Sequence, residues 1–232
     1  MPSLDPAEWQ ALSLTLKVAA TALIVTLPVA ILAGYVLARL RFPGHGILNG
    51  LIHLPLVLPP VVTGYVLLIL FGRRGPIGSF LEETFGITFA FNWTGAALAA
   101  GVMAFPLMVR PIRLAIEAVD PKLEEAAATL GSPRVVVLAV VTLPLALPGI
   151  LAAAILGFAK AMGEFGATIT FVSNIPGETR TLALALYTAT QTPDGELAAF
   201  RLTILSTVVA FAALIASEVV ARRLARAVKG GA

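Results

Sequence analysis

Long, uninterrupted apolar runs constrain this chain more than any other feature of its sequence. Several of them extend for about 20 residues or more, enough for an α-helix to cross roughly 30 Å of hydrocarbon. Backbone groups inside a bilayer must bond to one another, so only helices and closed barrels span it. The runs are continuous rather than alternating, which favours helices. Charged residues make up 12% of the chain, against roughly 25% in soluble domains. We therefore predict an all-α, polytopic transmembrane bundle.

The sequence predicts one transmembrane domain over residues 1–232, with its core at about 11–221. Five firm spans can be placed, at residues 11–40, 47–71, 94–114, 136–158 and 202–221. Pro55, Pro59 and Pro60 remove hydrogen-bond donors from the second span, and we expect a kink there. Between residues 159 and 200, the apolar pieces 167–172 and 182–190 are each too short to cross alone. We interpret them as broken or re-entrant helices, with a sixth full crossing as the alternative.

The basic residues indicate an orientation, because cytoplasmic loops carry an excess of Lys and Arg. With five crossings, ten of the sixteen Lys and Arg residues fall on one side. These ten are Arg39, Arg41, Arg110, Arg113, Lys122, Arg134, Arg222, Arg223, Arg226 and Lys229. On the other side, Arg73 and Arg74 are followed by Glu82 and Glu83. We expect an outer amino terminus and a cytoplasmic carboxyl terminus, and a sixth full crossing would break this parity.

A short polar helix is predicted between the third and fourth spans, within the segment 117–135. Asp120 is a good N-cap, and Pro121 suits the first helical position, where a missing N–H is harmless. Glu124 and Glu125 lie near the positive end of the helix dipole. Gly131 suits the left-handed residue that follows a helix. About ten residues would form a rod of roughly 15 Å.

The spacing around this helix resembles the coupling loop of importer-type ABC transporter permeases. Glu125-Ala126-Ala127 is followed after three residues by Gly131, after nine more by Val141, and after one more by Leu143-Pro144. Val141 replaces the isoleucine that is usual in the family. The resemblance implies a type I ABC importer permease fold and a loop that couples to a separate ATPase subunit. The coupling residues would be Glu124, Glu125, Ala126, Ala127, Gly131, Leu143 and Pro144. The alternative is an interfacial loop helix without a partner.

Two further stretches, residues 53–65 and 163–181, narrow the resemblance to permeases of molybdate importers. With Gly72-Arg73-Arg74-Gly75 and Gln191-Thr192-Pro193, the similarity covers essentially the whole chain. The run from Gly163 to Ala167 is also similar to sulfate permeases, whereas the short chain and the segment from Ile175 to Arg180 favour molybdate. Tungstate and sulfate permeases remain the close alternatives. A passive anion channel is the alternative from another class, and the coupling helix argues against it.

The stretch from residue 163 onwards suits a gate in the translocation path. Gly163 and Gly166 permit close helix approach, and residues 174–177 break the helix and offer backbone amides to an anion. Glu164 is an ionisable group beside a span, which suggests a structural or gating role, but it could simply pair with Lys160 four residues earlier. The second span's double proline is either a plain kink or a break that lines the path. The candidate path residues are Pro59, Pro60, Gly163, Glu164, Gly166, Thr168, Ser173 and Asn174.

The chain is not expected to be an enzyme, because it has no Gly-x-x-x-x-Gly-Lys-[Ser/Thr] phosphate loop. No cofactor is expected, and a metal site is disfavoured because His45 and His53 have no second ligand at metal spacing. The resemblance implies a bacterial inner-membrane location and a complex with a second copy of the permease and two ATPase subunits. It also implies a periplasmic molybdate-binding protein. The bilayer is the remaining partner, and no nucleic acid is expected.

Overall fold

The computed structural model of the protein describes residues 5–229, with side chains in the last helix only as far as Val219 and without Ser217. Every regular element in this part of the chain is helical. In chain order the elements are α1 (Pro6–Arg39), α2 (His45–Val57), α3 (Pro60–Phe71), α4 (Pro76–Phe85), α5 (Trp93–Glu117), α6 (Pro121–Thr129), α7 (Arg134–Val137), a π-helical turn (Leu138–Thr142), α8 (Leu143–Met162), α9 (Gly166–Val172), α10 (Leu182–Gln191) and α11 (Glu196–Lys229).

Four helices in the described part are long and apolar enough to cross a membrane. They are Pro6–Arg39, Trp93–Glu117, Arg134–Met162 and Glu196–Ala216, the third being continuous through α7, the π-helical turn and α8. The predicted spans one, three and four therefore lie within real helices. The last helix begins at Glu196, six residues before its predicted start. The second predicted span is the exception.

That span, predicted as one kinked helix over residues 47–71, is two helices. Helices α2 and α3 are bent by 116° at their junction. Leu58 and Pro59 are both extended there, with ψ of 142° and 135°. A residue that precedes a proline is pushed out of the α region, and two consecutive prolines apply this restriction twice. Pro59-Pro60 is therefore a break rather than a kink, and four spans plus one bent pair replace the five expected spans.

Helix α4 lies in the polar stretch after the second span, where no helix was predicted. It begins with Pro76 at its first position and is followed by Gly86, a left-handed residue with φ +66°. These are the usual signals of a helix start and end. The helix positions are therefore readable from Gly75-Pro76 and Gly86, and the sequence interpretation overlooked them.

Helix α5 is the centre of the bundle. Of its most apolar window, 67% is buried, against 22% for α1 and 6% for α11. Small residues allow this burial: Ala96, Ala99 and Ala100 are all fully buried, and α1 and α8 pack on either side. Gly157 of α8 lies against Met108 of α5. Such small residues let helix backbones approach closely where lipid supplies no hydrophobic drive.

Helices α9 and α10 form the broken region that the sequence predicted between residues 159 and 200. Neither reaches the length of a span, and α9 packs against α3. The start of α10 is fixed to α1, since the Leu182 amide donates to Thr15 Oγ1 over 2.8 Å. Nearby, α11 is joined to α1 by an ion pair between Arg201 and Glu8. The starts of α10 and α11 are thus held to α1 by polar contacts.

Candidate coupling site and gate region

Helix α6 has the ends that the sequence predicted. The Asp120 carboxylate accepts a hydrogen bond from the Lys122 amide over 3.0 Å. At the other end, Gly131 has φ +85°, its amide donates to the Ala128 carbonyl, and the Ser132 amide donates to the Ala127 carbonyl. This pair of bonds is the Schellman motif. The helix is nine residues long, close to the ten expected.

Most of α6 faces away from the rest of the chain. None of its residues is buried, and Glu125, Ala126 and Ala128 are exposed while Ala127 is half-buried. Leu130, which follows the helix, is 87% exposed. A small, apolar and acidic helix face presented in this way is suited to a groove on another protein, with alanines giving close approach.

Glu124 differs from its neighbours because its carboxylate points into the chain. Glu124 Oε1 lies 3.1 Å from Arg39 Nη2 and 3.2 Å from Arg39 Nε. The same oxygen accepts a hydrogen bond from Thr142 Oγ1 over 2.7 Å. The structure therefore separates the predicted coupling residues: Glu125 and Ala126 are exposed, Ala127 is half-buried, and Glu124 attaches the helix to the spans.

A small cavity of about 240 Å³ lies beside this contact. Its wall is shared by α1, α6, α7 and the π-helical turn, and includes Tyr35, Glu125, Ala128, Arg134 and Leu138. Glu124 also lines this cavity, so the cavity lies on the side of α6 that contacts the spans.

Leu143 and Pro144 lie at the start of α8, directly after the π-helical turn. The Leu143 amide donates to the Leu138 carbonyl, five residues earlier. Proline has no N–H, and its ring collides with the carbonyl four residues before it. A wider turn just before Pro144 relieves this conflict, as single π turns do inside α-helices. The Leu-Pro motif therefore sets the local geometry that places Thr142 under α6.

In the predicted gate, Glu164 is bound within its own chain. It is 3% exposed, with Oε2 lying 2.6 Å from Lys160 Nζ. Its other oxygen accepts a hydrogen bond from the Ala167 amide over 3.0 Å, in the first turn of α9. The Lys160 pairing that the sequence offered as an alternative is thus present. Glu164 fixes the junction of α8 and α9.

The structure brings the two candidate path segments together. A Cβ atom at Gly166 would lie 2.7 Å from Pro60 Cβ, so the start of α9 touches the start of α3. Thr168 is buried at 1% exposure, whereas Pro59 is exposed. Gly163 ends α8. The double proline and the start of α9 therefore meet at the contact of Pro60 with Gly166, whereas Gly163 lies near only the Ala159 carbonyl of its own helix.

The loop after α9 is more closed than the sequence suggested. Ser173 has φ +65°, and Asn174 bonds through Nδ2 to Thr188 Oγ1 over 2.7 Å. The Ile175 amide donates to Thr179 Oγ1 over 2.8 Å, and three later amides donate to the Ile175 carbonyl. Among the amides of residues 174–177 that were expected to be open to an anion, the Ile175 amide is therefore used within the loop. Arg180 Nε donates to Asn174 Oδ1 over 2.8 Å, which leaves a charged group at the same place.

Several connecting residues escaped the sequence interpretation. Arg39 was counted only as a topology signal, and Thr15 and Thr142 were not singled out. Each acts on residues far away along the chain, so local patterns carried no sign of them. Lys17 of α1 also reaches a distant residue, since its Nζ lies 3.5 Å from the centre of the Trp93 ring, a cation–π contact.

Among the described residues, no group of three or more His, Cys, Asp or Glu side chains could hold a metal ion. His45 and His53 each bond to a backbone carbonyl, of Leu37 and Asn49 respectively.

Comparison with known proteins identifies the family to which this chain belongs. Residues 9–226 match the family described as "Binding-protein-dependent transport system inner membrane component". The molybdenum transport system permease protein ModB of Escherichia coli K12 is 59% identical over 218 residues, covering 94% of this chain and 95% of that protein. The ModB protein of Haemophilus influenzae is 50% identical with the same coverage. A bacterial alginate ABC transporter, solved with its alginate-bound periplasmic protein, has TM-score 0.76 and 16% identity, with 95% of this chain and 80% of that chain covered. The resemblance inferred from the motifs is confirmed.

Proposed function

Since this chain belongs to the family of inner membrane components of binding-protein-dependent transport systems, we propose that it is the membrane permease of an ATP-driven molybdate importer. The observation that carries the proposal is the outward-facing helix α6, with its Glu125-Ala126-Ala127 face exposed and its ends fixed by Asp120 and Gly131. A membrane protein gains nothing from such a surface unless a partner occupies it. The proteins named as molybdenum transport permeases point to the substrate.

In this proposal the energy comes from another chain. A cytoplasmic ATPase subunit would bind α6, and two such subunits would act on two copies of the permease. A periplasmic binding protein would deliver molybdate to the outer face. Closure of the ATPase dimer would draw the two α6 helices together and open the path outwards, and hydrolysis would return it to the inward-open state. Such alternation needs differential contacts in two states.

The proposed path includes the contact region of α3 and α9. Pro60 and Gly166 meet there, beside the break between α2 and α3. Irregular backbone at membrane depth is tolerated where protein or a water-filled cavity covers it, so a path between two permease copies would explain the break. Ser173 and Asn174 would lie at the outer end of this region. Glu164 supports it structurally and does not meet the anion.

The proposed topology has five crossings, with α2 and α3 counted as one bent span. The amino terminus would be periplasmic, and α6 and the carboxyl terminus cytoplasmic. The absence of cysteine from the sequence makes this directly testable with single cysteines at the exposed positions Trp9, Arg74 and Leu130. A membrane-impermeant thiol reagent added to intact spheroplasts should label positions 9 and 74 and leave position 130 unlabelled until the membrane is opened.

Cellular molybdenum tests the substrate. A strain lacking this gene would be grown in trace molybdate and in excess molybdate, with its molybdenum content measured by elemental mass spectrometry. We expect molybdenum to be lost at trace levels, restored at excess, and restored at trace levels by the gene on a plasmid. Sulfate and tungstate uptake would be measured in the same cells. Unchanged molybdenum with impaired sulfate uptake would reject molybdate as the substrate and retain only an oxyanion permease.

A further inference from the structure

Arg39 is the last residue of α1, and its guanidinium binds two segments beyond the end of α5. Its Nη2 donates to the Val119 carbonyl over 2.9 Å and to Glu124 Oε1 over 3.1 Å. The pair is mostly withdrawn from water, with side-chain exposures of 16% for Arg39 and 20% for Glu124. Hydrogen bonds between charged groups are shorter and stronger than neutral ones. One side chain thus connects α1, the segment after α5, and α6.

Thr142 extends the same connection to α8. Its hydroxyl donates to Glu124 Oε1 over 2.7 Å, so Arg39 and Thr142 share one carboxylate oxygen. Thr142 is 1% exposed and is the last residue of the π-helical turn, directly before Leu143. The carboxylate therefore lies where three elements meet: the end of α1, the coupling helix α6 and the start of α8.

Across the described residues, Glu124 makes every side-chain hydrogen bond that joins α6 to a spanning helix. The other polar bonds of α6 are local, between Asp120 and Lys122 and between Thr129 and Ala126. No residue of α6 is buried, so packing alone attaches it weakly. Without Glu124, the helix would be tied to the spans chiefly by its two connecting loops.

We propose that Arg39, Glu124 and Thr142 form a linkage that transmits movement of α6 to α1 and α8. The three are positioning residues: they contact neither substrate nor nucleotide, and they act by making α6 move as one body with two spans. This inference rests on the proposed function, because it needs an ATPase subunit that moves α6. It assigns to Glu124 a role different from that of the outward-facing Glu125.

The test is coupling efficiency in the complete transporter, reconstituted in liposomes with its ATPase subunits and binding protein. Molybdate accumulated per ATP hydrolysed would be measured for the wild type, Glu124→Gln and Thr142→Val. Both substitutions preserve size and remove one part of the linkage. We expect molybdate per ATP to fall by about 3- to 30-fold, the range of known coupling changes, while ATP hydrolysis without binding protein persists. A purely structural defect would instead lower transport and hydrolysis in proportion.

Glu117→Gln is the matched control. Glu117 pairs with Arg113 over 2.7 Å near the same end of the bundle, but this pair lies within α5 and does not reach α6. Its loss should leave molybdate per ATP within about twofold of the wild type, as expected for an exposed i,i+4 pair. An equal fall in molybdate per ATP for Glu117→Gln and Glu124→Gln would reject the linkage, because the loss of any acidic charge near this end of the bundle would then be enough to reduce coupling.

A distance measurement tests the linkage without relying on transport. The chain has no cysteine, so spin labels can be placed at Leu32 of α1 and Lys122 of α6, both exposed. The labelled copy would be diluted with unlabelled permease in the assembled complex. In the wild type, the distance between the labels should stay constant when nucleotide is trapped. In Glu124→Gln, the distribution of this distance should become broader. A wild-type change above about 2 Å, beyond ordinary helix shifts, would overturn the linkage.

These outcomes separate the two proposals. If the wild-type complex hydrolyses ATP but accumulates no molybdate, the proposed function fails, and the label distances still judge whether α6 and α1 move together. If the wild type transports molybdate and both variants keep the wild-type ratio of molybdate to ATP, the linkage fails and the proposed function stands.

Discussion

Gly64 of α3 lies against the backbone of Ala167 in α9, so that a Cβ atom at position 64 would stand 2.5 Å from the Ala167 carbonyl oxygen. The contact has a counterpart one turn away, where Gly166 of α9 meets Pro60 of α3. Each helix thus contributes one glycine to the crossing. Because α9 is only seven residues long, this close packing holds it in place where its own hydrogen bonds are few.

Replacing Gly64 with alanine should destabilise the protein. The added methyl group would collide with backbone rather than with a movable side chain, and overpacking of this kind costs about 1–3 kcal/mol. Gly50→Ala is the matched control, because Gly50 is also within a helix and a Cβ there would meet nothing within 4 Å. Thermal unfolding in detergent should show a lower midpoint for Gly64→Ala and an equal or higher one for Gly50→Ala. Equal midpoints for Gly64→Ala and wild type would contradict the close crossing.

The ion pair between Glu8 and Arg201 should contribute more to stability than an exposed pair. Glu8 is 6% exposed, its Oε1 lies 3.2 Å from Arg201 Nη2, and its Oε2 accepts from the Asp5 amide. Removing one partner of a buried pair leaves a charge without compensation. Because Arg201 is about one third exposed, we expect Glu8→Gln to cost about 1–2 kcal/mol, less than for a fully buried pair.

The exposed pair between Arg73 and Glu82, 3.9 Å apart, supplies the comparison for this prediction. Glu82→Gln should change the free energy of unfolding by less than about 0.5 kcal/mol. Unfolding curves of both single variants would be recorded at low and high salt. If Glu8→Gln proved as mild as Glu82→Gln, the contact between α1 and α11 would not be a significant source of stability.

Local sequence signals predicted the limits of α6, but they did not predict its contacts with distant residues. Asp120, Pro121 and Gly131 act on residues within a few positions, so the limits of the helix follow from the sequence alone. The Glu124–Arg39 contact spans 85 positions, and no periodicity encodes it. Glu124 was therefore grouped with Glu125 as a coupling residue, although the two side chains point to different places.

The bend between α2 and α3 shows a different limit. Pro59 and Pro60 lack backbone hydrogen-bond donors, so they predict that the helix is interrupted. They do not predict the angle between the two helices that result. The angle depends on what the freed segment packs against, and here Pro60 meets Gly166 of α9, more than a hundred positions away. The loop after α9 shows a related effect, because Thr179 Oγ1 accepts a hydrogen bond from the Ile175 amide, which the sequence left open to an anion.

For the Lys160–Glu164 pair, substituting both residues should destabilise the protein less than substituting Lys160 alone. Glu164 is buried and Lys160 is partly exposed, with side-chain exposures of 2% and 30%. Lys160→Met would leave the buried carboxylate without its cation, at a cost of several kcal/mol. Adding Glu164→Gln removes that charge while keeping an acceptor for the Ala167 amide. The double variant should therefore unfold at a higher temperature than Lys160→Met alone.

Transport by Glu164→Gln distinguishes structure from gating in the same pair. If Glu164 only fixes the junction of α8 and α9, this variant should import molybdate at close to the wild-type rate, since its amide oxygen still accepts from Ala167. Glu164→Ala, which removes both bonds, should be clearly weaker. A Glu164→Gln variant that inserts and folds normally yet transports nothing would assign the charge itself a role in the cycle.

Gly131→Trp should abolish ATP-dependent transport while leaving the permease folded. Gly131 has φ +85°, and a Cβ atom there would meet nothing within 4 Å of its own chain. The cost within the permease is therefore confined to the left-handed backbone, about 1–2 kcal/mol for a non-glycine residue. Any larger effect must come from a partner that needs the space beside α6. We expect normal insertion and a permease that no longer copurifies with the ATPase subunit.

Gly86→Trp is the control that isolates this partner effect. Gly86 follows α4 in the same conformation, with φ +66°, and a Cβ there would also meet open space. The Gly86 amide bonds to the Glu82 carbonyl and the Ile87 amide to the Leu81 carbonyl, so this left-handed glycine also ends a helix. The two tryptophans thus impose a similar backbone strain, but only the one at position 131 adjoins α6. Gly86→Trp should keep the ATPase subunit bound and transport within about twofold of the wild type, a change below 0.5 kcal/mol. If both variants lose the ATPase, helix-end strain explains the loss. If neither loses it, α6 is not the docking helix.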